Sequence, residues 1–115
     1  NHLLSGDRLA DALSMLNNHQ IKMALLNCNP LGLTKTAVDN IVDNWVGGWG
    51  IYPNLGKGEF SPDGCTAEYE PMEKYLSVIE HALNSGASVV GACCGSSPEH
   101  IAEIKKLKYD FAEQL

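Results

Sequence analysis

Residues 91–100 read Gly-Ala-Cys-Cys-Gly-Ser-Ser-Pro-Glu-His. The adjacent cysteines, Cys93 and Cys94, end an apolar run, Gly95 permits a sharp exit from it, and residues 97–99 are typical of a helix start. Neighbouring cysteines form a strained disulfide, so the pair needs another explanation. Because zinc readily accepts thiolate ligands, we interpret the pair as part of a metal site.

A third cysteine, Cys28, has an equivalent position earlier in the chain. It follows residues 21–26, whose nearly continuous apolar character is expected for a strand buried on both faces. Cys28 and the adjacent pair together predict a three-thiolate zinc (Zn²⁺) site. The fourth cysteine, Cys65, lies in a predicted loop without a partner, and we interpret it as incidental.

Helical and strand-like segments alternate along the chain. The patterns predict four helices, opened by Ser5, Thr34, Pro71 and Ser97, and three strands at 21–26, 49–52 and 87–92. The order α-β-α-β-α-β-α implies right-handed crossovers and a parallel sheet. The cysteines that end the first and third strands then fall at the carboxyl edge of this sheet, where parallel α/β folds carry their chemistry.

The predicted core consists of one apolar stripe on each helix, together with two tryptophans. The stripes are Leu9, Ala12, Leu13 and Leu16; Val38, Ile41, Val42 and Trp45; Met72, Tyr75, Leu76, Ile79 and Leu83; and Ile101, Ile104, Leu107 and Phe111. Trp45 and Trp49 are predicted to pack in the core rather than to contact substrate. Residues 55–70 are predicted to form a long loop, with Glu68, Glu70 and Glu73 solvated.

The composition restricts the class of protein. A chain of 115 residues with 44% hydrophobic residues is sufficient for one modest domain. A formal net charge of -6 with only eight Lys and Arg argues against a nucleic-acid partner. No apolar run approaches the roughly 20 residues that span a bilayer, and the first residues show no basic leader. We therefore expect a soluble cytoplasmic protein with reduced thiols and no membrane partner.

The motifs resemble those of the zinc-dependent homocysteine S-methyltransferases, a family that includes betaine-homocysteine methyltransferase, S-methylmethionine-dependent enzymes and the homocysteine module of cobalamin-dependent methionine synthase. Residues 91–101 look like the family's Gly-Gly-Cys-Cys-Gly-Thr-Thr-Pro-Glu-His-Ile signature, with conservative departures at residues 92, 96 and 97. Residues 27–28 look like its Asn-Cys motif, and residues 52–56 are similar to its Tyr-Pro-Asn-x-Gly segment. The motifs occur in the family's order over nearly the whole chain.

The resemblance implies that residues 1–115 form one partial domain of the α/β class, the C-terminal portion of a TIM (β/α)8 barrel with its last three parallel strands. A complete barrel takes about 250 residues, so we expect a fragment, a split protein or a truncated relative. By the same resemblance Cys28, Cys93 and Cys94 are the zinc ligands. Asn27 and Asn54 are second-tier positions that orient these ligands or bind substrate.

The implied reaction is attack of the homocysteine thiolate on an activated methyl group, which gives methionine. The implied partners are homocysteine, a small methyl donor, and a complementary barrel fragment or a second copy of the chain. Residues 52–54 favour a sulfonium donor such as S-methylmethionine. Two alternatives stay open: a noncatalytic zinc-binding or assembly module, and a redox protein using the adjacent thiols. His100 is expected to cap a helix or to lie at the surface. His2, His19 and His81 are expected at the surface.

Overall fold

Helices and short strands alternate in the computed structural model, which describes residues 2–3, 5–57 and 68–113. The described helices are α1 (Leu9–Leu16), α2 (Leu31–Asn44), α3 (Met72–Asn84) and α4 (Pro98–Glu113). The described strands are β1 (Met23–Pro30), β2 (Gly48–Asn54), β3 (Gly56–Lys57), β4 (Glu68–Tyr69) and β5 (Val89–Val90). The predicted alternation is confirmed, and a small antiparallel β3–β4 pair is added to it.

The main sheet has the strand order β1-β2-β5, and both of its strand pairs are parallel. Consecutive strands are therefore neighbours, and each crossover contains a helix, α2 between β1 and β2 and α3 between β2 and β5. Each helix also packs against the next one in the chain. The described residues thus form a parallel α/β unit that advances in one direction, an arrangement compatible with part of a barrel.

The two faces of this sheet differ in burial. Ile51 of β2 is fully buried, and its partner Leu26 in β1 packs against the same core beneath the helices. On the opposite face Met23, Leu25 and Val89 are 41%, 47% and 41% exposed. The prediction that the first strand is buried on both faces is wrong, because among the described residues the helices cover one face only.

Most of the predicted helical stripes are confirmed. Leu13, Ile41, Ile79 and Ile104 are examples of buried residues from the four stripes, and both tryptophans are buried. Val42 and Ile101 were expected inside but are 48% and 50% exposed. Val42 follows Ile41 by one residue, about 100° around the helix, and so leaves the buried stripe. Ile101 lies in the last helix of the described chain, which packs on α3 on one side only.

Two predicted helix caps are wrong. Ser5 does not cap α1, which begins at Leu9, and its hydroxyl instead donates to Asp7 Oδ2 at 2.8 Å. Thr34 lies inside α2, which begins directly after β1 because Pro30 already holds a φ of -54°. The fully buried Thr34 hydroxyl donates to the Pro30 carbonyl at 3.0 Å, the usual use of a threonine hydroxyl within a helix.

The described ends of the segment predicted as a loop form a short antiparallel pair. Gly56 pairs with Tyr69 across β3 and β4, whereas residues 58–67, and with them Cys65, lie outside the described residues. The Glu70 side chain is only 15% exposed and lies 3.3 Å from Lys74 Nζ, so its interpretation as solvated is wrong. This carboxylate is instead mostly buried and pairs with Lys74 in the first turn of α3.

Two further side features bear on the predictions. His81, expected at the surface, keeps 34% of its side chain exposed but lies 3.0 Å from Asp39 Oδ1, and it links α3 to α2. Within the part of the chain that the structure describes, none of the helices has a stretch long and apolar enough to cross a membrane.

Candidate metal centre

Three thiols converge at the carboxyl edge of the main sheet. The Sγ atoms of Cys28 and Cys94 are 3.6 Å apart although 66 residues separate them in sequence, and those of Cys93 and Cys94 are 3.9 Å apart. All three Sγ atoms lie within 4.8 Å of one another. The structure therefore brings together the three cysteines that the sequence assigned to one site.

The adjacent pair is held by backbone hydrogen bonds to β2. Regular pairing of β5 ends at Val90, but the Cys93 N–H still donates to the Pro53 carbonyl at 2.9 Å. In the other direction the Leu55 N–H donates to the Cys94 carbonyl at 2.8 Å. The third strand of the sheet thus extends in an irregular form to Cys94, close to the prediction for residues 87–92.

Cys28 reaches the other thiols through a break in β1. The register of β1 against β2 shifts between Asn27 and Pro30, and Cys28 has a φ of 54°. Among the described residues it is the one non-glycine with a positive φ, a conformation that costs about 1–3 kcal/mol and recurs at functional sites. In a regular strand residue 28 would face the helices, as Leu26 does, so the break redirects the thiol.

The chain leaves the centre through Gly95. This residue has a φ of +81°, and a Cβ there would lie 2.7 Å from Cδ1 of Tyr69 and 3.2 Å from the Gly56 nitrogen. Only glycine accommodates both the conformation and the close approach of β3 and β4. The small antiparallel pair therefore packs directly against the turn that follows the adjacent cysteines.

The thiols share an ordered set of hydrogen bonds. Burial acts to raise the pKa of Cys28, but donation from the Cys93 thiol, the Cys94 backbone and thiol, and the Asn54 side chain outweighs it and leaves that pKa below its ordinary value. The hydrogen bond to Cys28, with burial, raises the pKa of Cys93 to about 11. Within this hydrogen-bonded cluster the pKa values of Cys28 and Cys93 are therefore shifted in opposite directions.

Both predicted asparagines lie beside the thiols. The Asn27 Oδ1 atom is 4.0 Å from Cys93 Sγ, and Asn27 is exposed. Asn54 is only 8% exposed; its Oδ1 accepts from the Gly56 N–H at 2.7 Å, and its side chain also bonds Cys28. Asn54 is thus fixed in place by the backbone, whereas Asn27 is available to a ligand.

One contributor was predicted only as a core residue. Tyr75 of α3 is fully buried, and its hydroxyl donates to the Gly91 carbonyl at 2.7 Å, two residues before Cys93. Its ring also meets the His100 ring edge to face, with centroids 5.4 Å apart. A tyrosine within an otherwise aliphatic stripe carries a hydroxyl that needs a partner when buried, and this was the available signal.

The donor set fits zinc. With Zn–S bonds of about 2.3 Å, a tetrahedral site places its sulfurs about 3.8 Å apart. Two of the three Sγ separations are 3.6 and 3.9 Å, and all three lie within 4.8 Å. A disulfide requires about 2.05 Å, so these cysteines are free thiols. Three cysteine ligands would leave a fourth tetrahedral position open, as in catalytic rather than structural zinc sites.

Comparisons with known proteins agree with these motifs. The model of the homocysteine S-methyltransferase family matches residues 1–107. A homocysteine S-methyltransferase of Bacillus subtilis is 30% identical in an alignment of 105 positions that covers 90% of this chain and 33% of that protein. A homocysteine S-methyltransferase of Zea mays is 25% identical in an alignment of 112 positions that covers 92% of this chain and 34% of that protein.

A selenocysteine methyltransferase of Astragalus bisulcatus is similar too, with 29% identity in an alignment of 121 positions that covers 93% of this chain and 32% of that protein. The chain therefore spans about a third of the length of these relatives. The resemblance seen in the cysteine motifs is confirmed by a match that covers nearly all of the sequence, and the chain belongs to the homocysteine S-methyltransferase family.

Proposed function

We propose that this chain is the zinc-holding portion of a homocysteine S-methyltransferase. The observation that carries the proposal is the convergence of Cys28, Cys93 and Cys94, with all three Sγ atoms within 4.8 Å at the carboxyl edge of a parallel sheet. These three thiols would hold the metal. A zinc ion bound there would lower the pKa of a substrate thiol, ordinarily about 8.5, so that the thiolate is present at neutral pH.

The reaction proposed is transfer of a methyl group to homocysteine. The substrate sulfur attacks the methyl carbon, the bond from that carbon to the donor's leaving group breaks, and methionine is formed. The chain's own part is to hold the sulfur in line with the methyl group, and such positioning is a large source of rate. Asn27, exposed beside Cys93, is placed to bind the substrate, whereas Asn54 orients Cys28.

We further propose that residues 1–115 form one partial domain, the last three strand-helix units of a (β/α)8 barrel. The consecutive parallel strands and the single layer of helices support this assignment. The apolar face formed by Met23, Leu25 and Val89 would then line the barrel interior, covered by the part of the family fold that the chain does not span. Activity is expected only with that complementary part, and a second copy of the chain is the alternative occupant.

The free thiols also bear on location. A metal site built from three thiols needs its cysteines reduced, so we propose a cytoplasmic location for the protein. Homocysteine and a small methyl donor are its proposed partners, and the net charge of -6 argues against nucleic acid.

Zinc content tests the proposal directly. The full polypeptide that carries these residues is purified under reducing conditions, and bound zinc is measured for the wild type and for Cys28→Ser, Cys93→Ser and Cys94→Ser. We expect one zinc per wild-type chain and loss of tight binding in each variant. Cys65→Ser is the matched control and should retain its zinc. Full retention after any one of the first three substitutions removes that residue from the ligand set.

The remaining alternatives give different results in the same preparation. A redox protein would show rapidly reacting thiols and no stoichiometric metal. A noncatalytic zinc module would bind zinc through the same three cysteines yet show no methyl transfer to homocysteine even when the complementary barrel segment is supplied. Methyl transfer that requires Cys28, Cys93 and Cys94 would exclude both.

A further inference from the structure

We infer that Tyr75 is a positioning residue of the metal centre. It acts from α3 on the turn that carries Cys93 and Cys94, along one path through the Gly91 carbonyl and along a second path through His100. The inference rests on the proposed zinc site and names residues that hold its ligands without touching the metal. Its evidence is the geometry on either side of the adjacent cysteines.

The first path meets the chain just before the ligands. The Tyr75 hydroxyl is 2.7 Å from the Gly91 carbonyl, and the Gly91 N–H donates to the Ile51 carbonyl at 2.9 Å. The residue two positions before Cys93 is thus fixed from β2 on one side and from α3 on the other. Burial holds the pKa of Tyr75 far above its ordinary range, so the hydroxyl stays a neutral donor.

The second path meets the chain just after the ligands. The Tyr75 and His100 rings are 5.4 Å apart at an interplanar angle of 78°, the edge-to-face arrangement that aromatic pairs favour. His100 Nδ1 accepts from the Ser97 N–H at 3.1 Å, while the His100 N–H donates to the Ser97 carbonyl at 3.0 Å. The His100 side chain thus supplies one half of a capping box from the third helical position, and the Ser97 hydroxyl lies 3.1 Å from the same Nδ1 atom.

The turn between these two points depends on such support. Regular pairing of β5 stops at Val90, and the adjacent cysteines follow on irregular backbone. Inside the turn the Ser96 hydroxyl donates to the Cys93 carbonyl at 2.6 Å, which ties the turn to itself but not to the rest of the protein. Tyr75 therefore contacts the chain on both sides of the turn, in addition to the backbone hydrogen bonds that Cys93 and Cys94 make with Pro53 and Leu55.

Removal of the Tyr75 hydroxyl leaves the Gly91 carbonyl without that donor. The turn can then relax, and the Sγ separations that suit a tetrahedral metal are no longer imposed before the metal arrives. Residues that orient metal ligands from behind typically change metal affinity by about 10–100-fold. We expect Tyr75→Phe to weaken zinc binding by about tenfold, at the lower end of that range.

The test measures zinc affinity by chelator competition and the visible spectrum of the cobalt-substituted protein, both on the full polypeptide that carries these residues. Tyr75→Phe should lower zinc affinity and alter the thiolate-to-cobalt bands. Tyr109→Phe is the matched control, since Tyr109 is 62% exposed on α4. Val78→Ala, at a buried α3 position, is the control for general destabilisation. Both controls should remain within about twofold of the wild type in zinc affinity.

The second path has its own pair of variants. His100→Gln keeps an acceptor at the third helical position and should bind zinc more tightly than His100→Ala. If Tyr75→Phe does not fold, this pair decides the question, because His100 is only partly buried. Wild-type affinity in both Tyr75→Phe and His100→Ala, or a loss in Val78→Ala equal to that in Tyr75→Phe, overturns the inference. Absence of zinc from the wild type overturns the proposed function together with it.

Discussion

The close contact between β2 and the third strand makes Gly50→Ala an informative substitution. A Cβ on Gly50 would lie 2.7 Å from Val89 Cβ and 3.0 Å from Leu25 Cδ2. The first contact is shorter than real Cβ atoms tolerate and involves the root of a side chain, so the strand itself must move. Because this strand continues to Cys93, the movement is transmitted to the metal centre.

Other glycines of the chain provide a graded comparison. A Cβ on Gly48 would meet the flexible Cε of Met23 at 3.2 Å, and one on Gly32 would meet nothing within 4 Å. Overpacking of a well-packed site costs about 1–3 kcal/mol. Replacing glycine by alanine at a compatible site gains about 0.5–1 kcal/mol. We therefore expect a loss of about 2 kcal/mol for Gly50→Ala, a value near zero for Gly48→Ala and a small gain for Gly32→Ala.

Urea denaturation followed by tryptophan fluorescence measures this series, because Trp45 and Trp49 are 7% and 6% exposed and both report on the core. Zinc affinity is measured in parallel and should fall only in Gly50→Ala. A free energy of unfolding for Gly50→Ala within about 0.5 kcal/mol of the Gly32→Ala value would refute the reasoning, since that difference is ordinary for surface changes. It would mean that the third strand does not approach β2 as closely as described.

Other predictions concern strain, packing and surface charge. In urea, the free energy of unfolding of Cys28→Gly should be about 1 kcal/mol higher than that of Cys28→Ala, because alanine keeps the cost of a positive φ that glycine avoids. Neither variant is expected to retain zinc. Ile51→Val should lower the free energy of unfolding by about 0.5–1.5 kcal/mol, whereas Val42→Thr, at a half-exposed position, should stay within about 0.5 kcal/mol. His81→Ala should cost less than about 1 kcal/mol by the same assay, since its partner Asp39 is 64% exposed and such surface pairs contribute little; a loss of about 2 kcal/mol or more would contradict that expectation.

Much of the fold could be predicted because apolar periodicity responds to burial. The stripe of α3 and the alternation of helices and strands were readable from residues such as Ile79 and Leu83, which are buried as expected. The exposed face of β1 was not readable, because an apolar strand looks the same whether or not its second face is covered. Leu25 is 47% exposed for that reason and not because its pattern is polar.

The residues of the candidate site could be predicted, but the backbone geometry that brings them together could not. Cys28, Cys93 and Cys94 each end an apolar run, and parallel topology then brings such ends to one edge. The positive φ of Cys28 could not be predicted from the sequence, because glycine and asparagine, not cysteine, are the usual residues in that conformation. The helix cap predicted at Thr34 is wrong, because the sequence does not distinguish a hydroxyl that bonds back within a helix from one that caps its start.

β2 supplies no thiol, but it contacts both of the segments that do. Cys28 depends on a left-handed break at the end of β1, whereas Cys93 depends on a hydrogen bond to the Pro53 carbonyl of β2. Asn54, the next residue of β2, bonds Cys28 and is itself fixed by a backbone N–H. The two ligand-bearing segments therefore meet through the end of β2 as well as through their own thiols. Distortion of β2 should separate the thiols even where every cysteine remains in place.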